Sequence, residues 1–346
     1  ERNLTFVFLN RIFRRRANVE LMKAAVLQGP KQIEVQEISR PKVRPQEVLV
    51  NVQACGICTF ERRLYSGERK MRYPLIAGHE AAGVVAEVGS EVRREIKVGA
   101  KVALDLLNRC GECKFCRTSR GNLCENMFKG NLNVMGGFGQ YVSVPSEQVF
   151  IMDDQISIEE ATLAEPVACC IHSLLGAGAR FADDLLVYGA GTMGMIHVML
   201  GAAMGMRVSV FEPQAERRKL ALELGASQAL LPGEEGQLSW VPDVIVVTVP
   251  LPSVVEAALQ VAGAGTKVVI YSSFDKGVTV ALDVNKVHNS DLAIVGAQSR
   301  TPEDFHLAVK AISAGLINVR PLVSRVVPLQ DIAAALAEEP GVEEMR

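Results

Sequence analysis

The stretch Leu185-Leu186-Val187-Tyr188-Gly189-Ala190-Gly191-Thr192-Met193-Gly194 decides the fold. Four apolar residues read as a buried strand, and the glycines lead into an apolar helix running through Met204. Gly189 permits the tight turn, Gly191 lets the backbone approach a pyrophosphate, and Gly194 allows close helix–strand packing. Thr192 and Met193 fall at the helix N-terminus, whose free N–H groups and positive dipole end suit phosphates. A bare G-x-G-x-x-G is weak evidence, since glycine-rich turns are common in α/β proteins. Here a strand precedes it, a helix follows, and Glu212 ends the next strand, 23 residues beyond Gly189. A carboxylate there accepts from a ribose 2′-OH and repels a 2′-phosphate, so NAD is the expected dinucleotide. Arg217 and Arg218 on the following helix are the NADP alternative; read as solvated helix charges, they leave NAD favoured. Arg217 is kept among the cofactor-binding candidates.

Outward from this turn, Val208-Ser209-Val210-Phe211, Val244-Ile245-Val246-Val247 and Lys267-Val268-Val269-Ile270 repeat the short apolar strand. Helical stretches such as Ala215 to Leu224, closed by Gly225, separate them. Apolar strands alternating with helices predict an α/β, doubly wound parallel sheet with both faces covered, a Rossmann domain over 166–301. Upstream the texture is strand and turn, as in Val48-Leu49-Val50-Asn51-Val52 and Ala81-Ala82-Gly83-Val84-Val85-Ala86-Glu87-Val88. This predicts a mainly-β domain over 22–165. From 302 to 346 a helix (Pro302 to Ala314) and a mixed tail return to the first domain. A chain of 346 residues is long enough for two domains.

The first 21 residues, ERNLTFVFLNRIFRRRANVEL, are basic and partly apolar. A secretory signal places its charge before its apolar stretch, whereas Arg14-Arg15-Arg16 follow Phe6-Val7-Phe8-Leu9. The segment is expected to be a non-native or disordered extension, with the fold starting at Met22. Composition is that of a soluble globular protein, 49% hydrophobic and 22% charged. The net charge of −2 and the lack of a basic block argue against nucleic acid. No apolar run reaches the roughly 20 residues needed to cross a bilayer. The 8 cysteines are bunched, which points to metal binding in a reducing compartment, and a cytoplasmic location is expected.

Cys110, Cys113, Cys116 and Cys124 follow C-x2-C-x2-C-x7-C in a polar lobe spanning 108–126. Four thiolates so close in sequence can close a tetrahedral shell around one Zn²⁺ and leave no open position, the mark of a structural site. An iron–sulfur cluster takes the same ligand type and is the competing reading. Two further pieces, Cys55-Gly56-Ile57-Cys58-Thr59-Phe60-Glu61 and Gly78-His79-Glu80, are each compatible with a merely structural role.

Taken together, Cys-Gly-Ile-Cys, Gly-His-Glu, the four-cysteine lobe, Glu165-Pro166 and the glycine fingerprint occur in the order found in the zinc-containing medium-chain dehydrogenases. From Met22 almost to the C-terminus the chain resembles the sorbitol and threonine dehydrogenase branch of that family. The resemblance implies a GroES-like first domain and a second, catalytic zinc on Cys58 and His79, with Glu80 and Glu165 as carboxylate ligands. Two zinc ions per chain are therefore expected. Glu61 matches an acidic residue that hydrogen-bonds the ligating imidazole. Plainer readings are a helix-capping role for Glu165, a surface charge for Glu61, and simple packing for Cys55, Cys169 and Cys170. His172 is open between a core histidine and a residue near the nicotinamide. Gln298, Ser299 and Arg300 are placed near the cleft without a role.

One position departs from the family. Relatives carry Ser or Thr two residues after the zinc cysteine, where a hydroxyl begins a proton relay; here Phe60 stands there, and Thr59 is expected to point elsewhere. The polyol signature Gly-Ser-Asp is also absent. The expected activity is hydride transfer between NAD(H) and a secondary alcohol, polyol or amino alcohol, by a homodimer or homotetramer. Its alternatives are a non-catalytic scaffold binding NAD and zinc, and a nicotinamide-dependent reductase lacking the catalytic zinc. The substrate itself is not readable. Relatives continue into another short strand beyond Arg346, so the C-terminus is expected to be truncated or variant.

Overall fold

Side chains alternate along the strand Asp184–Tyr188. Leu185 and Val187 enter one core with Met195, Ile196 and Val198, while Leu186 and Tyr188 enter another with Ile245, Val255 and Leu259. A strand buried on both faces belongs in the middle of a sheet covered by helices. The computed structural model, which describes residues 20–127, 129, 135–338 and 345, places it there. Six parallel strands run in the order Gln228–Leu230, Arg207–Phe211, Asp184–Tyr188, Val244–Val247, Lys267–Ile270, Ala293–Gly296. Numbered from Asp184–Tyr188, that is 3-2-1-4-5-6, so the strand order reverses between Asp184–Tyr188 and Val244–Val247. The two outer strands have three and four residues, too short for periodicity to separate from loop.

The turn after Tyr188 fits its glycines. Gly189 takes φ +93, a left-handed conformation. A Cβ on Gly194 would lie 1.9 Å from the Gly189 carbonyl oxygen, so helix Thr192–Ala203 can approach the strand only with glycine there.

The remaining strands form two antiparallel sheets. One has five strands in the order Tyr141–Pro145, Glu47–Gly56, Glu80–Val88, Lys101–Asp105, Val149–Ile151; the other joins Gln32–Ser39, Leu21–Gly29 and Leu75–Ile76. The first strand begins at Leu21, one residue before the expected start, and the rest of the N-terminal extension lies outside the described residues apart from Glu20. Helix Ala164–Gly176 shares a core with helix Pro302–Ser313, and the Phe150 and Phe305 rings meet with centroids 4.7 Å apart. Helix Ile332–Ala337 buries Ile332 and Leu336 beside Ala25, Leu27 and Leu64, so the chain returns to its first part. Among the described residues, no helix is long and apolar enough to cross a membrane. Most of the tail expected to be truncated or variant also lies outside them.

Candidate active site

The dinucleotide crevice opens at the reversal of strand order. Gly191, Thr192, Met193, Gly194, Glu212, Arg217 and Thr248 border it. Nothing lies within 4 Å of a Cβ built on Gly191, so the backbone there is open to a ligand. Glu212 is buried; its Oε2 accepts from the Ala190 amide at 2.7 Å and its Oε1 from the Gln214 amide at 3.0 Å. The carboxylate thus fixes the glycine turn from behind while bordering the crevice. Arg218 donates to the Glu212 and Pro213 carbonyls, both at 2.8 Å, which leaves Arg217 as the helix arginine bordering the crevice. The Thr192 hydroxyl donates to the Met345 carbonyl at 2.7 Å. Thr248, not singled out in the sequence, closes the opposite side by donating to the Tyr188 carbonyl at 2.8 Å.

In the cysteine lobe, Cys110, Cys113, Cys116 and Cys124 come together as one potential ligand group. The Cys110 sulfur lies 3.9 Å from that of Cys116 and 3.5 Å from that of Cys124. A Zn–S bond of 2.3 Å gives a tetrahedral S···S edge of about 3.8 Å, so the donor set fits zinc and is far from disulfide distance. Backbone amides turn toward the sulfurs: Cys113 N to Cys110 at 3.4 Å, Cys116 N to Cys113 at 3.5 Å, Cys110 N to Cys124 at 3.4 Å. Those of Cys113 and Glu112 lower Cys110 to about 6, whereas burial and the neighbouring sulfurs push Cys116 up to about 12. Four thiolates this close repel one another, and a cation among them would offset that repulsion.

The dispersed candidates also converge. They form two overlapping triads that share His79: Cys58, Glu61 and His79, then His79, Glu80 and Glu165, with the ligand atoms of each triad within 4.8 Å of one another. Cys58 precedes helix Thr59–Ser66, and Glu61 in its first turn accepts from the Cys58 amide at 3.2 Å. The other Glu61 oxygen meets His79 Nδ1 at 2.6 Å, which turns Nε2 toward Glu165 Oε1, 3.8 Å away. Glu61 is buried, not a surface charge. Glu80 begins the strand opposite Gly56, where a Cβ would lie 2.1 Å from the Glu80 Oε2; glycine makes room for the carboxylate. Burial opposes charge on His79, but Glu61, Cys58 and Glu165 outweigh it and hold the imidazole well above its usual range. A thiol, an imidazole and carboxylates clustered in this way attract positive charge, and the donor types suit zinc.

Sequence reasoning missed how Glu165 is held. Glu165 sits in the first turn of helix Ala164–Gly176, ion-paired through Oε1 to the buried Arg300. Arg300 also lies 2.9 Å from Asp105, which accepts from Arg109 at 2.7 Å; Arg109 in turn donates to the Arg300 carbonyl at 2.9 Å. Burial disfavours charge on Arg300, but Glu165 and Asp105 more than offset it and keep it firmly protonated. Ser299, at φ +58, lets the chain turn between Gln298 and Arg300. Cys169 is not merely packed: it borders the cleft, with its sulfur 3.5 Å from Glu165 Oε1. Cys170 is fully buried, and the Cys55 sulfur sits against Gly78 and Gly137. His172 does not border the cleft. Its Nδ1 meets Asp304 at 2.8 Å and its Nε2 meets Asn122 at 3.1 Å, tying two helices to the cysteine lobe. Phe60 borders the cleft with its ring at 79° to that of His79, centroids 5.5 Å apart. Thr59, expected to point elsewhere, borders both the donor cleft and the dinucleotide crevice.

Comparison with known proteins places the chain among zinc-binding and alcohol dehydrogenases. A family model described as alcohol dehydrogenase GroES-like domain matches residues 44–154, and one described as zinc-binding dehydrogenase matches residues 192–314. An alcohol dehydrogenase from Geobacillus stearothermophilus is 36% identical over 217 residues, which cover 60% of this chain and 63% of that enzyme. Sorbitol dehydrogenase of Bacillus subtilis is 28% identical over 329 residues, 91% of this chain and 92% of the other. The crystal structure of a protein described as a zinc-binding dehydrogenase from Sinorhizobium meliloti, bound to NADP, matches with a TM-score of 0.88 and 29% identity, covering 94% and 98% of the two chains.

Proposed function

The chain belongs to the zinc-binding dehydrogenase family, and we propose that it interconverts a secondary alcohol, polyol or amino alcohol and the corresponding ketone with NAD(H). The observation that carries this reading is a shared wall: Thr59, Met193 and Thr248 border both the cleft holding Cys58, His79, Glu80 and Glu165 and the crevice of the glycine turn. A hydroxyl beside the donor cluster therefore lies next to a nicotinamide bound in the crevice.

Cys58 and His79, with Glu80 or Glu165, would hold a zinc ion; bound there it would act as a Lewis acid easing loss of the hydroxyl proton, and a bound nicotinamide would accept the hydride. The residues do the positioning. Glu61 takes His79 Nδ1 and so presents Nε2 to the metal. Arg300 holds Glu165 to one side, which favours an exchangeable carboxylate over a permanent ligand. The Phe60 ring excludes water from one flank of His79 and supplies no hydroxyl, so the substrate's proton leaves by solvent or by Thr59 at the junction of the two clefts.

Glu212 supports NAD over NADP, because a 2′-phosphate would meet a carboxylate already committed to the glycine turn. Cys110, Cys113, Cys116 and Cys124 would hold the second zinc as a structural ion. A dimer or tetramer is supported by the edge strand Ala293–Gly296, whose Ile294 is exposed, and by exposed Val278, Val280, Leu282 and Val284. The eight cysteines, none in a disulfide, suit the cytoplasm.

The test is a panel of secondary alcohols, polyols and amino alcohols assayed with NAD⁺ and NADP⁺ at the NADH absorbance. The expected result is turnover with kcat/KM higher for NAD⁺. Absence of turnover across the panel with both dinucleotides sinks the reading, and preference for NADP⁺ sinks the role given to Glu212.

A further inference from the structure

The donor cleft carries two guanidinium groups that hydride transfer to a neutral alcohol does not require. Arg63 lies in helix Thr59–Ser66 and Arg69 follows it; both border the cleft of about 430 Å³ that holds Cys58 and His79. The Arg69 guanidinium stacks over the Phe60 ring, 4.7 Å from its centroid, and that centroid is 5.5 Å from the His79 ring. The stacked arginine is therefore no more than about 10 Å from the imidazole of the reacting centre. A short hydroxy acid or sugar phosphate spans such a gap.

Arg63 approaches from the same wall and crosses to the opposite part of the molecule, donating to the Ser273 hydroxyl at 3.2 Å. Its acidic neighbour Glu68 stands 3.8 Å away and is 67% exposed, an ion pair screened by solvent. Among the described residues bordering the cleft, the carboxylates are Glu80 and Glu165, and both belong to the donor cluster. Burial and the nearby charge of Arg63 both lower Arg69 from its usual range, as expected where like charges converge.

We infer that the substrate carries a carboxylate or phosphate remote from the reacting hydroxyl, and that Arg63 and Arg69 bind it. The planar fork of a guanidinium matches either anion with paired hydrogen bonds. A bound anion would also relieve the repulsion between the two arginines. Phe60 then has a positive role: its face holds Arg69 in place while the ring packs beside His79.

This substrate class rests on the dehydrogenase reading of the same cleft, and the two fail separately in one experiment. With metal-loaded enzyme and NAD⁺ at low salt, kcat/KM is measured for sorbitol, gluconate and sorbitol 6-phosphate, in the wild type and in R63Q/R69Q checked for an unchanged melt. At least one anion is expected to exceed sorbitol by about tenfold, with an advantage that shrinks at about 0.5 M NaCl. In the double variant the anion-to-sorbitol ratio falls toward one. Preference for gluconate alone identifies a carboxylate, and preference for the ester alone a phosphate. Sorbitol matching both anions, or an anion preference that survives R63Q/R69Q, overturns the anion site and leaves the dehydrogenase reading standing. If none of these three turns over and the broader alcohol, polyol and amino-alcohol panel also gives nothing with NAD⁺ or NADP⁺, the dehydrogenase reading fails. Calorimetric titration of inorganic phosphate into the metal-loaded protein then decides the anion site: binding lost in R63Q/R69Q supports it, and no binding in the wild type overturns it.

Discussion

The cysteine lobe and the cluster about His79 are both shaped for a cation, yet they are assembled in opposite ways. In the lobe all four donors lie between Cys110 and Cys124, and the amides of the same segment turn toward the sulfurs. The shell is local and closed. The His79 cluster draws Cys58 from a helix cap, Glu80 from a strand and Glu165 from a distant helix, and it opens on the substrate cleft. Of its carboxylates, Glu165 is held by Arg300 from far along the chain, whereas Glu61 is fixed within its own helix turn by the Cys58 amide. A metal in the first region would stabilise loop structure; on the proposed reading, a metal in the second would serve the reaction, with a carboxylate giving way to a ligand. The regions still touch. Arg109, just before Cys110, donates to the Arg300 carbonyl, and Asn122 donates to the Gln298 carbonyl at 2.9 Å, so the lobe braces the cleft rim.

The sharpest separation comes from removing one thiol at a time. Cys58→Ala is expected to lower kcat by about 10³-fold or more, the several kcal/mol that a Lewis acid supplies, with an unchanged melting temperature. Near-normal turnover in that variant would take the cluster out of the reaction. Cys113→Ala should do the reverse in kind, lowering the melting temperature by several degrees because metal binding contributes local folding energy. A smaller fall in kcat/KM should follow through the loosened cleft rim. A melt and zinc content equal to wild type would break the contrast from the other side.

Acid provides a reference outside both metal regions. His197, inside the fingerprint helix, is fully buried, and burial lowers it to about 4. The unfolded chain takes up that proton near 6.5, the folded chain only near 4, so the unfolded state binds more protons between these values. Stability therefore falls by about 3 kcal/mol as pH drops from 7 to 4, with or without metal. Urea midpoints across that range should slope accordingly, and His197→Gln should flatten the slope; an unaltered slope would remove His197 as the cause. The smallest effect expected is that of Glu61→Gln. Weakening the partner of His79 Nδ1 should cost about 10–100-fold in metal affinity or activity without shifting the melt. Affinity and rate equal to wild type would reduce Glu61 to a helix cap.

Legibility in the sequence follows the same division. Cys110 to Cys124 can be read from spacing, because the ligands are close enough for the chain itself to bring them together. The glycine turn and four inner strands can be read because burial on both faces leaves unbroken apolar runs. Cys58, His79, Glu80 and Glu165 stand out only through resemblance, since nothing local to each residue requires a metal. The Arg300–Glu165 and Arg300–Asp105 pairs are not legible at all. They join residues far apart in sequence, and a buried arginine looks no different there from an exposed one. The stacking of Arg69 on Phe60 is hidden for a related reason: the sequence registers the lost hydroxyl but not the ring's new neighbour.

Zinc content, measured on the same preparations as the melts, tests the two-site account most directly. The account predicts about two zinc ions per wild-type chain, about one in Cys58→Ala with an unchanged melt, and loss of the other in Cys113→Ala with a lowered melt. About one zinc ion in the wild type, or two retained in Cys58→Ala, would contradict it.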